Sequence, residues 1–339
     1  YQRSGTLAQG QLALEDTVLS NVGNVLNRVR ELVVQANNAS QSPESRRSIG
    51  IEVAARLDEL QSLANTRDAS GEYIFAGFQA GSEPFSLQGG AYTYSGDSGQ
   101  RMLQLAKSTQ VAVRDSGLDV FVSVPSGNGS FDIQPASSNA GTAVVGANSA
   151  SGSFVKDTYD IAFSQATSTD PVTYQVSDSA SAVVASGTYT AGDNIEFAGA
   201  SLRFDGVPAD GDSFQLQSAQ RQDMFSTLQD IVGHLNNAGS SPTELAAFNN
   251  GMSRALDNVD RALDHVLDLR ADVGVRLNHV DRQLDINDSF NLQLEGTLSE
   301  IQDLDYAEAI SRFNLQLTTL EASQQAYIKM QGLSLFNFL

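Results

Sequence analysis

The chain has 339 residues, enough for two or three domains with cores of their own, and it carries a formal net charge of −20. This charge argues against binding to nucleic acid or to an anionic membrane surface, because both are themselves negatively charged. The sequence has no cysteine, which excludes disulfide bonds, thiolate metal sites and cysteine nucleophiles.

Two helices joined by a short polar loop are predicted near the start of the chain. Apolar residues from Leu19 to Ala36 recur at spacings of three and four, which predicts a helix over about residues 10–38. Ser42 and Pro43 then match an N-cap and a first helical position, so a second helix should begin there and end near Thr66. Because the loop is short, these two helices should lie antiparallel.

The next part of the sequence changes to strand-like patterns. Residues 92–94 and 102–105 flank the turn-forming run 96–99, which predicts a β-hairpin or small sheet within residues 71–106. From residue 118 to 217, short β-prone runs alternate with Gly, Ser, Asn and Asp, as is typical of an inserted sandwich-like domain or an open barrel. The β-prone runs are residues 120–124, 159–163, 172–176, 195–197 and 213–216.

The inserted region is strongly acidic. Between residues 118 and 217 there are eleven acidic residues and only two basic ones, Lys156 and Arg203, which gives a net charge of −9. Asn128 and Gly129 are the dipeptide typical of a two-residue hairpin turn, while the Ala, Gly and Ser stretch 137–153 predicts a loop or a weak strand pair. The simplest role for this charge is to keep an outward-facing domain soluble.

Helical patterns resume near Gln220. The run from Ser241 to Glu244 is a capping box that opens a long helix, whose apolar residues alternate by three and four as far as Leu284. The sequence therefore predicts an α+β multidomain fold in which helices from both chain ends form a bundle or coiled coil. The predicted domains are an N-terminal arm with the hairpin (1–106), the β insert (107–219), a C-terminal arm (220–293) and a terminal helix (294–339).

The terminal segment carries an apolar seam that can be either an ordinary amphipathic helix docked on its own protein or an assembly surface. The apolar tail at residues 333–339 favours assembly, because a monomer would expose that tail to water. Since the chain starts at Tyr1 without a methionine, we expect a preceding segment that contains the partner helix of this seam. The candidate interface residues are Ile310, Phe313, Leu317, Leu320, Tyr327, Leu333, Leu335, Phe336, Phe338 and Leu339.

No catalytic, metal or cofactor site is expected. His265 and His279 lie fourteen positions apart on one helix, about 21 Å, which is too far to share an ion, and His234 belongs to another helix. The sequence also lacks a G-x-S-x-G nucleophile elbow and a phosphate-binding glycine loop between a strand and a helix. These patterns predict that the protein is not an enzyme.

Three stretches resemble one known family. Residues 300–309 are similar to an acidic D-x-D-Y-A segment, residues 71–77 with 94–97 and Arg101 resemble a characteristic hairpin, and residues 332–339 resemble a characteristic tail. They are shared with the bacterial flagellin superfamily, and within it most closely with the hook–filament junction proteins, the third hook-associated proteins. The β insert matches nothing specific in that family.

The resemblance implies an extracellular structural protein of the bacterial flagellum, exported by the flagellar type III pathway with an export chaperone. It implies a ring of copies that joins hook to filament, between the first hook-associated protein and flagellin. Two alternatives stay open: a flagellin that forms the filament itself, and an adhesive or carbohydrate-binding surface protein that uses the acidic insert. Growth into filaments on seeding would favour the first alternative, and glycan binding by the insert the second.

Overall fold

Long helices frame a central region of antiparallel strands in the computed structural model, which describes residues 1–302 and 306–332. The chain divides into two compact units, Tyr1–Leu284 and Asp285–Leu339. The helices are α1 (Gln2–Ala36), α2 (Pro43–Ala64), α3 (Met224–Asn236), α4 (Pro242–Gln302) and α5 (Tyr306–Gly332), with a π-helical turn at Leu118–Val122.

Local capping signals set the beginnings of two helices. The Ser42 side chain accepts a hydrogen bond from the backbone N–H of Ser45, with Pro43 in the first turn of α2. At α4, the N–H of Glu244 donates to Ser241 Oγ and the Glu244 carboxylate accepts from the N–H of Ser241, so the predicted capping box is confirmed. In contrast, α1 begins well before residue 10, and α4 passes residue 294 without a break.

The first unit has a helical core formed by α1, α2, α3 and the first part of α4. Leucines on one face of α1 and valines on one face of α4 are fully buried in this core, as the three-and-four spacing requires. Each such side chain contributes roughly 1.5–3 kcal/mol through burial. Ion pairs from Asp16 to Arg270 (2.9 Å) and from Arg30 to Asp260 (2.6 Å) connect α1 and α4, and their order along the chain shows that the two helices run antiparallel.

The strands, in chain order, form hairpins, sheets and one short pair, all antiparallel. Their bounds are β1 Phe85–Gln88, β2 Ala91–Tyr94, β3 Met102–Ala106, β4 Thr109–Ala112, β5 Val124–Pro125, β6 Phe131–Pro135, β7 Val144–Ala150, β8 Tyr159–Ser164, β9 Thr173–Ser177, β10 Val183–Thr188, β11 Asn194–Phe197, β12 Ala200–Asp205, β13 Ser213–Ser218 and β14 Arg221–Gln222.

The hairpin pairing differs from the one predicted. β2 pairs with β1, and β3 pairs with β4, so the run 96–99 links two separate hairpins and does not form the turn of one. Asp97 explains this, because its carboxylate accepts from the N–H groups of Phe78 and Gly99 and ties the linker to the preceding loop. An aromatic cluster of Phe75, Phe85, Phe121 and Phe225 packs the first hairpin, β1-β2, against α3.

The insert has its own apolar core between a five-stranded sheet, ordered β10-β9-β8-β13-β6, and a three-stranded sheet, ordered β11-β12-β7. This arrangement matches the predicted sandwich-like insert, and no closed barrel forms among the described residues. The predicted strand at 120–124 is wrong over most of its length, because residues 118–122 form the π-helical turn that buries Phe121. Asn128-Gly129 is likewise not a two-residue hairpin, since β5 and β6 pair with different strands and Asn128 caps a local turn.

Polar side chains on one face of α4 hold the insert. Asn250 bonds to the backbone of residues 143 and 145 (2.9 and 2.8 Å), and Asn258 Oδ1 accepts from the N–H of Gly127 at 2.6 Å. Between them, Arg254 contacts both carboxylate oxygens of Asp132 at 2.9 Å. Because Asn250, Arg254 and Asn258 are four residues apart, they share one face of the helix and dock the insert through hydrogen bonds instead of apolar packing.

Candidate assembly surface

The predicted seam lies on α5, where none of the described side chains is buried. Its five described members, Ile310, Phe313, Leu317, Leu320 and Tyr327, are each between 41% and 63% exposed. At about 100° per residue these positions fall within roughly a quarter to a third of the helix circumference. They form one apolar stripe, which we call the α5 stripe, of the width that packs against a neighbouring helix.

The opposite face of α5 is more polar. Glu308 and Arg312 form an exposed i,i+4 ion pair of 2.6 Å there, which stabilises the isolated helix by only a few tenths of a kcal/mol. Leu315 is an exposed apolar residue on this opposite face. The α5 stripe is therefore the face of α5 with the denser row of large apolar side chains, while the opposite face carries isolated ones such as Leu315 and Met330.

A second apolar face, which is not part of the predicted interface, lies on the last turns of α4. Ile286, Phe290, Leu294, Leu298 and Ile301 are all more than half exposed and fall within about a third of the helix circumference. The spacing of four between Ile286, Phe290 and Leu294 is a sequence signal for such a face, although the predicted interface includes none of these residues. The second unit therefore presents apolar faces on both of its helices.

The same helix behaves differently in the first unit. There Val259, Val266, Val273 and Val280 of α4 are at most 1% exposed, because α1 and its neighbours cover them. In the first unit, the apolar seam of α4 is therefore buried against neighbouring helices and is not an exposed surface.

The other predicted interface residues belong to the last seven positions of the chain. Leu333, Leu335, Phe336, Phe338 and Leu339 lie outside the described residues. The same holds for residues 303–305, which belong to the D-x-D-Y-A segment.

The histidines occupy three unrelated environments. His265 Nε2 lies 2.8 Å from the carbonyl oxygen of Asp119, His279 is exposed, and His234 packs against Gly251. Burial lowers the pKa of His234, which keeps its ring neutral. Within the described ranges no group of three or more His, Asp or Glu side chains is arranged to hold a metal ion.

Hydropathy adds one observation about the helices. Across residues 1–302 and 306–332, no helix is both long and apolar enough to serve as a bilayer span.

Comparison with known proteins gives consistent matches at both ends of the chain. Residues 1–80 match the bacterial flagellin N-terminal helical region, and residues 256–339 match the bacterial flagellin C-terminal helical region. Flagellar hook-associated protein 3 of Escherichia coli K12 is 24% identical over 340 residues, which cover 99% of this chain and 80% of that protein.

Solved structures match over most of the insert as well. FlgL of Xanthomonas campestris is 35% identical with a TM-score of 0.82, covering 88% of this chain and 96% of the crystallised one. Flagellar hook associated protein-3 of Legionella pneumophila is also 35% identical, with a TM-score of 0.85 and coverage of 90% and 96% respectively.

Proposed function

The chain belongs to the family of flagellar hook-associated protein 3 and is a structural protein of the flagellum; from this membership we propose that it joins the hook to the filament. In this role it is an adapter and not an enzyme. Copies assemble into a ring, with the first hook-associated protein on one side and flagellin on the other. The observation that carries the proposal is the exposed α5 stripe.

The α5 stripe supports assembly through its geometry. Ile310, Phe313, Leu317 and Leu320 are spaced as the seam of a coiled coil, yet each is at least 41% exposed. Burial of such a side chain contributes roughly 1.5–3 kcal/mol, so covering the stripe by another helix would supply a large part of an assembly interface. We propose that helices of neighbouring copies or of adjoining flagellar proteins cover it.

A ring requires two different surfaces on each copy, because a cyclic contact is heterologous. The α5 stripe and the apolar face of α4 between Ile286 and Ile301 supply two such surfaces within the second unit. The acidic insert takes an outer position in this proposal, where its net charge of −9 opposes contact between copies.

A pair of matched substitutions tests the proposal. Leu317 belongs to the α5 stripe, whereas Leu315 is exposed on the opposite face, so both positions accept a glutamate without disturbing a core. In the source bacterium, Leu317→Glu should abolish filament attachment and motility, whereas Leu315→Glu should retain both. Both purified variants should keep the circular dichroism of the unchanged protein.

Three outcomes would count against the proposal. If cells carrying Leu317→Glu are motile, the α5 stripe is not needed for filament attachment. If both variants lose motility equally, the stripe is not distinguished from the opposite face of α5. Elongation of filament seeds by the purified protein would favour a flagellin that forms the filament itself.

The remaining parts of the proposal concern the tail and the route to the flagellum. We propose that residues 333–339 extend the interface, so that their deletion blocks filament attachment while the first unit stays folded. Extracellular residence and export by the flagellar type III pathway with a chaperone belong to the same proposal. Secretion that persists in a strain without a functional flagellar export apparatus would contradict that route.

A further inference from the structure

Three ionisable side chains from three different elements meet inside the first unit. Glu15 lies on α1, Asp115 in the segment that follows β4, and Arg276 on α4. Glu15 is 1% exposed and Asp115 is 4% exposed, so neither carboxyl group is in contact with bulk water. The cluster lies where the second hairpin joins the helices.

The hydrogen bonds of the cluster leave one oxygen unaccounted for. Glu15 Oε1 accepts from the N–H of Asp115 at 2.8 Å, and Asp115 accepts from Gln100 Nε2 at 2.9 Å and pairs with Arg276. Glu15 Oε2 is buried and has no hydrogen-bond partner among the described residues. A buried, ionised carboxylate with an unpaired oxygen is strongly unfavourable.

Charge balance also disfavours an ionised Glu15. Two buried carboxylates face one guanidinium, and Asp115 already pairs with it. Loss of water around Glu15, followed by the charge of Asp115, raises the pKa of Glu15 to about 8; the N–H of Asp115 and the charge of Arg276 oppose this rise.

The buried Arg114, next to Asp115, is paired with Asp68 and Glu72, so it does not serve as the counter-ion of Glu15. Arg276 also interacts with Asp272 of its own helix, and β3, which packs against α1, has no charged residue.

We propose that Glu15 carries a proton in the folded protein at neutral pH. This proton completes a hydrogen-bonded link of Glu15, Asp115 and Arg276, which we call the latch, between α1, the segment after β4, and α4. The Glu15 hydroxyl donates to the carboxylate of Asp115, and Arg276 neutralises that carboxylate. The protonated group satisfies the otherwise unpaired oxygen and reduces the buried charge to one ion pair.

The latch opens in alkaline solution. When Glu15 releases its proton to water, two like charges share a buried site and repel each other. Between about pH 4.5 and pH 8 the folded protein holds a proton that the unfolded chain has lost, so stability falls as pH rises through this window. The hairpin segment around Asp115 should loosen first, since it is attached to the helices at this point.

Infrared spectroscopy of the full chain tests the proton directly. At pH 7 the unchanged protein should show the carbonyl stretch of a protonated carboxylic acid, which disappears with a midpoint near pH 8. Glu15→Gln should lack this band, whereas Glu31→Gln, an exposed position on the same helix, should keep it. Absence of the band at pH 7, or its persistence in Glu15→Gln, would overturn the proposal, and the titration of the unchanged protein stands even if a variant fails to fold.

Amide hydrogen exchange tests the latch itself. The measured quantity is the exchange rate of the Asp115 N–H in the unchanged protein divided by the rate of the same N–H in Glu15→Gln at the same pH. This ratio should increase by up to about tenfold per pH unit above the midpoint. Comparison at equal pH cancels the intrinsic effect of base on exchange. A ratio that stays constant from pH 7 to pH 9 would show that the proton does not hold the hairpin segment.

Discussion

The contact between Asp132 and Arg254 gives the most direct test of how the insert is held. Asp132 lies on β6 with a side chain that is 6% exposed, and Arg254 lies on α4 with a side chain that is 30% exposed. We expect Arg254→Met, which keeps much of the apolar stem, to leave the Asp132 carboxylate buried without its cation.

The size of the effect follows from the burial of the two partners. Removing one partner of a fully buried ion pair costs about 3–5 kcal/mol, because the remaining charge is uncompensated. Arg254 is partly open to solvent, so water can partly replace it, and we expect about 2–3 kcal/mol. Adding Asp132→Asn to this variant removes the stranded charge and should recover part of the loss.

Arg261 provides a matched control on the same helix. It pairs with Asp264 one turn away, and because that carboxylate is 56% exposed, water can solvate it when the cation is removed, so Arg261→Met should cost less than about 0.5 kcal/mol. Urea unfolding measures these differences, and hydrogen exchange at Gly127 and Val145 locates them at the boundary between the insert and α4.

Two results would refute the reasoning. If Arg254→Met and Arg261→Met have equal free energies of unfolding, the buried position of Asp132 has no energetic consequence. If Asp132→Asn further destabilises the Arg254→Met variant, the stranded charge is not the source of the cost.

Three other predictions address the helical core, a turn and a histidine. Phe225 is fully buried between Phe85 and Tyr92, so Phe225→Ala should lower the free energy of unfolding by about 3–5 kcal/mol in urea titrations. Ala198 has a φ of 47° in the turn between β11 and β12, and Ala198→Asn should raise the melting temperature by relieving about 1 kcal/mol of strain. Because burial lowers the pKa of His234, the unfolded chain binds the extra proton below pH 6.5, and stability should fall as pH decreases through that region. His234→Gln should have a smaller loss of stability between pH 6.5 and pH 5 than the unchanged protein, as measured by urea unfolding.

Several features of the fold could be predicted because they depend on residues close together in the chain. The N-cap at Ser42 and the capping box from Ser241 to Glu244 involve hydrogen bonds within one helical turn. The spacing of apolar residues similarly identifies the α5 stripe, since a helix places those positions on one face regardless of its surroundings.

Other features were mispredicted because distant residues decide them. Residues 120–124 have strand-like composition, yet Phe121 belongs to the aromatic cluster with Phe75 and Phe85, and a π-helical turn delivers it there. β10, in which three of six residues are Ala, Ser or Gly, and β12 have no counterpart among the predicted β-prone runs, because their strand pairing comes from neighbours such as β9 and β7.

The sequence by itself determined the helices, their caps, the acidic strand-rich insert and the apolar seam of α5, because each rests on composition or on periodicity within one element. Only the tertiary structure decided which strands pair, how α4 holds the insert, and that Glu15, Asp115 and Arg276 meet in a buried cluster. The physical reason is that a contact between residues one hundred or more positions apart has no signature in either local segment. Its energy depends on burial and on partners that only the folded chain brings together.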